Sequence, residues 1–144
     1  MQALIALLLE TGCSLVVRSA TGEVTTGHKK GVRDLIAMLD NEPERLRGAR
    51  VADKVIGRAA AGLLVNGGVT EVYGHVMSRK ALPLLEQAGI AWSCGRLVDG
   101  IVIAAGDTRC PLEQIVDGAA TAPEVEATLR RHFEEMRLKK SSKQ

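Results

Sequence analysis

The chain is nearly free of aromatic residues, with one Phe, one Trp and one Tyr in 144 residues. That scarcity argues against a binder of single-stranded nucleic acid, which stacks successive bases on aromatic side chains. No charge sign dominates either. Lys and Arg number 19 against 17 Asp and Glu, a net charge of +2, and part of that surplus sits in the terminal RLKKSSKQ. A polyanion partner calls for a larger imbalance, so no nucleic-acid partner is expected. Cysteine occurs three times, at Cys13, Cys94 and Cys110. An odd, widely spaced set implies free thiols in a reducing cytoplasm, not a disulfide framework. No stretch reaches the roughly 20 apolar residues of a membrane span, so no membrane partner is expected. The opening MQALIALLLETG lacks the basic start and the small-residue cleavage site of a signal peptide, and Glu10 interrupts it. It reads as a first helix. Metal-ligand spacing is missing as well: His28, His75 and His132 are scattered, and there is no Cys-x-x-Cys. No P-loop or dinucleotide fingerprint surrounds Gly67-Gly68, and no cofactor is expected.

What remains is ordinary globular composition, 46% apolar and 25% charged, at a length that builds one core. One domain over residues 1–136 is expected, followed by a basic, frayed tail over 137–144. CSLVVRSATGEVTTG predicts two strands around a turn at Ala20–Gly22, because β-branched residues flank a Thr-Gly. GVRDLIAMLD has the helical spacing of Val32, Leu35, Ile36 and Leu39, and NEPERLRGAR predicts a polar connector with a helical turn. In VADKVIGRAAAGLLVNGG, apolar residues from Val55 to Leu64 recur at helical spacing behind Asp53, which predicts a buried helix over 53–66 stopped by glycine. VTEVYGHVM then reads as a strand, SRKALPLLEQAG as a helix begun by Ser78, and IAWSCGRLV as another strand. DGIVIAA is a short strand or extended edge, PLEQIVDG a short helix, and APEVEATLRRHFEEMRLKK an amphipathic C-terminal helix. Alternation after residue 51 demands parallel strands, while the hairpin demands an antiparallel pair. The expectation is therefore a three-layer α/β/α domain with a mixed sheet.

VADKVIGRAAAGLLVNGGVTEVYGHVMSRKALPLLEQAGI together with GDTRCPLE resembles a prokaryotic family of unassigned function with a cytidine-deaminase-like fold and no zinc motif. The resemblance implies that fold. It also argues against the deaminase reaction, since zinc deaminases carry His-x-Glu at the start of the buried helix and Pro-Cys-x-x-Cys at the next. Here those positions fall on ADKV and VMSRKA. A folate-dependent formyltransferase and a sulfurtransferase of the same superfamily also work without zinc.

Six residues carry the candidate chemistry. With Pro111 as the first helical residue, Cys110 becomes an N-cap and Glu113 falls where a capping box places its acid. Cys110 is either a small capping residue or a thiolate nucleophile or sulfur carrier activated by the helix N-terminus. Glu113 closes the box or acts as a general acid or base. Asp53 reads as an N-cap or a catalytic carboxylate. Lys54, in the expected first turn, opposes the helix dipole and so implies a negative partner. Arg58 one turn later would share that anion site. Ser78 caps the next helix, whose N–H groups could also hold an anion. Lys54 and Cys110 are expected to meet in a cleft at the carboxyl ends of the strands. The ligand would be small and either anionic or nucleobase-like. A ligand sensor that kept the fold and lost the chemistry, and a module assembling through its C-terminal helix as a homo-oligomer, are the rival readings.

Overall fold

The computed structural model describes residues 1–28, 32–101 and 111–142. Helix α1 (Gln2–Thr11) leads into a hairpin of β1 (Leu15–Arg18) and β2 (Val24–Gly27). Helix α2 (Arg33–Asn41), a 3-10 turn (Pro43–Arg45) and β3 (Arg50–Ile56) follow. Helix α3 (Arg58–Gly67), β4 (Glu71–Ser78), a second 3-10 turn (Arg79–Ala81) and α4 (Leu82–Gln87) come next. The order closes with β5 (Ala91–Val98), α5 (Pro111–Ile115) and α6 (Ala122–Ser142). Helix α6 thus continues beyond the boundary expected at residue 137. Of the DGIVIAA segment, residues 102–105 lie outside the described residues.

The five strands form one sheet in the order β2-β1-β3-β4-β5. Strand β1 is antiparallel to both β2 and β3, whereas β3, β4 and β5 are parallel. The protein is an α/β domain with a mixed sheet, as the alternation of patterns predicts. Helix α1 covers one face, where Leu4 and Leu8, one turn apart, pack with Cys13, Val16, Ala52 and Tyr73. The larger core lies on the other face and takes buried residues from α2, α3, α4 and α6. Each fully buried Leu or Val there stabilises the fold by about 1.5–3 kcal/mol relative to exposure.

One element differs from expectation. Residues 53–56 belong to β3, and the buried helix begins only at Arg58. Asp53 is therefore not a helix N-cap, and Lys54 does not sit in a helix's first turn. Val51, Ala52, Val55 and Ile56 fit a strand as well as a helix. Pairing with both β1 and β4 decides in favour of the strand, an override of local pattern by tertiary context. Gly57, extended at φ −101° and ψ −171°, marks the junction. At the other end Gly68 adopts φ 78° and stops α3, a left-handed conformation that glycine takes without a Cβ penalty.

Strands β3 and β4 share a second feature. Val51 and Ile56 both enter the larger core, as do their register partners Val72 and Met77. Residues an odd number of positions apart point to opposite faces of a regular strand. Both strands therefore turn over together between these residues, next to Asp53 and its register partner Gly74. A Cβ on Gly74 would come within 3.2 Å of both Ile56 Cγ1 and Met77 Cε, so the bend leaves little room for a side chain.

Candidate functional site

Strands β3, β4 and β5 run parallel, so their carboxyl ends open toward the same edge of the molecule. Chain segments leaving that edge include Gly57-Arg58 after β3, Ser78-Arg79-Lys80 after β4 and Asp99 after β5. Helix α5 reaches the same place from a distant part of the chain. Its Glu113 is 3% exposed, and Glu113 Oε2 accepts a hydrogen bond from the Arg58 backbone N–H at 3.0 Å. Glu113 thus caps α3, satisfying one of the unpaired N–H groups at that helix start and placing an acidic group at the positive end of its dipole. The N–H that Glu113 takes among the described residues belongs to α3; the Cys110 end of the expected capping box lies outside them. Gly57 makes the approach possible, since a Cβ there would lie 2.7 Å from Glu113 Oε2.

The second oxygen, Glu113 Oε1, is buried and has no hydrogen-bond partner among the described residues. Buried polar atoms are nearly always paired, and leaving one unpaired costs roughly 1–3 kcal/mol. The same element that stabilises α3 therefore holds an unused acceptor at the carboxyl ends of the strands.

Arg58 is committed elsewhere. Its Nε donates to the Ala119 carbonyl at 3.0 Å and its Nη1 to the Lys80 carbonyl at 3.1 Å. The guanidinium ties the start of α3 to the turns after α5 and β4. Lys54 points another way, its Nζ donating at 3.4 Å to the carbonyl of Gly12, which caps α1. Lys54 and Arg58 therefore do not form the shared anion site expected of them. On a strand, Lys54 opposes no helix dipole, and the reason for requiring a negative partner disappears. Ser78 is fully buried, and its hydroxyl accepts from the Lys80 N–H at 3.1 Å, the capping role its position predicts. Around it, Arg79 pairs with Asp99 at 3.0 Å and Lys80 with Asp117 at 3.3 Å. These are exposed pairs of small energetic weight. Cys110, with its expected thiolate chemistry and its expected meeting with Lys54, lies outside the described residues.

Asp53 is buried beneath the larger core's side of the sheet, in register with Leu15 and Gly74. Its Oδ1 accepts from the Val55 N–H at 3.2 Å. Burial nevertheless pushes its pKa up to about 7, with the Asp34 carboxylate adding to the rise and the backbone N–H groups of Val55 and Lys54 opposing it. Asp53 is thus a strand carboxyl that titrates near neutrality, some way along β3 from the Glu113 oxygens. On the α1 face, His75 Nδ1 lies 3.0 Å from the Tyr73 hydroxyl. No group of three or more His, Cys, Asp or Glu residues that could hold a metal ion occurs among the described residues. No helix among them is long and apolar enough to cross a membrane.

Gly57 joins the site without standing out in the sequence. A glycine between a β-branched run and an alanine-rich one is a strand-to-helix junction signal, here obscured by apolar spacing that continues through it.

Residues 3–133 match a family described as "Domain of unknown function (DUF1893)". The chain belongs to the DUF1893 family. Among solved structures, it is similar to a DUF1893 family protein from Thermotoga maritima, with a TM-score of 0.81 and 21% sequence identity. That likeness covers 92% of this chain and 88% of the other. At such identity it speaks for the DUF1893 fold alone. No curated protein matches the chain.

Proposed function

We propose that this DUF1893 protein is a zinc-less, cytidine-deaminase-like domain that binds a small nucleobase-like molecule at the carboxyl ends of β3 and β4. In this reading the ligand donates an N–H to Glu113 Oε1. The observation that carries the proposal is that oxygen, buried and without a partner among the described residues. A donor on the ligand relieves the cost of leaving that acceptor unpaired. The anionic alternative loses ground on the same geometry. Glu113 already occupies the start of α3, where an anion would otherwise sit, and a second negative group beside it would be repelled. The mixed sheet and its order of hairpin, helix, strand, helix and strand agree with the deaminase-like layout. Open α/β sheets bind ligands outside the carboxyl ends of their strands. The helices in that order are α2 and α3, and their described starts, Val32-Arg33-Asp34-Leu35 and Gly57-Arg58-Ala59-Ala60, carry neither the His-x-Glu nor the Pro-Cys-x-x-Cys of a zinc deaminase. Binding without that reaction is the function so described.

A panel of uncharged bases tests the proposal against orthophosphate. Cytosine and adenine, which carry exocyclic amines, are expected to shift the Arg58 amide resonance saturably in a 15N-labelled sample. Orthophosphate is expected to leave that resonance in place. If orthophosphate alone moves it, or if no base does, the proposal fails.

A further inference from the structure

A second surface, which Glu113 does not line, lies between α2 and the last turns of α6. Its walls are two stripes at helical i, i+3, i+4, i+7 spacing. Arg33, Ile36, Ala37 and Asp40 form one, and Phe133, Met136, Arg137 and Lys140 form the other. Such stripes run along about two turns of each helix, a length of about 10 Å. The groove between them has a volume of about 720 Å³. Its floor is apolar, and Met136 remains 45% exposed in it.

The rim is basic. Arg33 stands over the Phe133 ring at 5.8 Å, and Lys139 and Lys140 line the groove beyond it. Arg137 is joined to Glu134 at 2.6 Å. The acid among the lining residues, Asp40, is already neutralised by Arg130 at 2.8 Å, an ion pair that pins α6 to α2. The lining residues Arg33, Arg137, Lys139 and Lys140 face the single acid Asp40, a formal excess of positive charge around an apolar floor. From Glu134 to Lys140 helix α6 is exposed. A helix end this short is marginal by itself and gains stability from packing.

We infer that the groove is a docking site for an acidic amphipathic helix of another protein. Paired i, i+3, i+4, i+7 walls are the shape that receives the apolar stripe of a third helix. The basic rim matches acidic flanks and disfavours a second copy of this chain, which would bring the same positive charge against it. The proposal is independent of ligand binding at Glu113.

The probe is a fluorescein-labelled helical peptide of about 14 residues, with Leu at i, i+3, i+4, i+7 and Glu on its flanks, beside a shuffled peptide of the same composition. Saturable binding to the full chain is expected for the patterned peptide only. Met136→Asp is expected to weaken it about tenfold or more. Lys140→Glu, at an exposed position on the rim, is expected to weaken it several-fold and to lower its dependence on salt. No saturable binding overturns the proposal, as does equal binding of the shuffled peptide or of Met136→Asp protein with an unchanged melting temperature. Sedimentation showing a dimer that Met136→Asp dissociates would assign the groove to a second copy instead. Binding of phosphatidylserine vesicles, lost in Met136→Asp, would assign it to a membrane; either result replaces the partner helix.

Discussion

Asp53 shows what one misplaced polar residue does to a reading from sequence. An acid followed by a lysine looks like the start of a helix, because both are depleted from strand interiors. The fold instead buries the carboxyl within a central strand, and burial raises its pKa to about 7. The consequence for stability has a definite sign. Between about pH 4 and pH 7 the folded protein keeps a proton on Asp53 that the unfolded chain has lost, so stability falls as pH rises through that window and levels off above it. A shift of roughly three units corresponds to a penalty on the order of 4 kcal/mol at high pH. Asp53→Asn, which still accepts from the Val55 N–H, is expected to flatten this dependence and to be more stable than the wild type at pH 8. Urea unfolding from pH 4.5 to pH 8 measures it; parallel curves for the two proteins would show that Asp53 does not titrate in this range. Its place after Pro111 marks Glu113 as a capping acid. Its true partner is the Arg58 N–H, 55 positions away, and no local pattern reports a contact of that separation.

Among the elements, those with a clean period were legible. The hairpin, α2, β4, β5 and α6 stand where alternation or helical spacing puts them, whereas β3 and α3 share one apolar run whose spacing satisfies both forms. Within α3 the run Ala59-Ala60-Ala61-Gly62 has a packing reason. A Cβ on Gly62 would lie 2.5 Å from Val125 Cγ1, so the small residues let α6 press against α3. Gly62→Ala is expected to destabilise the fold by about 1–3 kcal/mol through overpacking, despite the better helix propensity of alanine. Gly118→Ala, where the added Cβ meets nothing within 4 Å, is the control and is expected to change stability by less than about 0.5 kcal/mol. Equal denaturation midpoints for the two variants would mean that α3 and α6 do not approach so closely.

At the scale of the whole molecule, the mixed sheet gathers the starts of α3 and of the turn after β4 at one edge, and α5 closes on that edge through Glu113. The class of the fold could be read from the order of patterns, but the partnership of α5 with α3 could not, because it exists only after the parallel strands have paired. The scattered histidines and the missing Cys-x-x-Cys also bear on the whole chain. Elemental analysis of dialysed protein is expected to give far less than one equivalent of zinc, and stoichiometric metal that survives dialysis would refute this. The central claim concerns one oxygen, Glu113 Oε1, and Glu113→Gln isolates it. The glutamine carbonyl still caps the Arg58 N–H, while the amide replaces an unused acceptor with a donor. Isothermal titration of cytosine into the wild type and into Glu113→Gln is the most direct measurement. The account predicts binding by the wild type and at least a tenfold weaker affinity for the variant, a difference of about 1.4 kcal/mol or more. Equal affinity in the two proteins would contradict it.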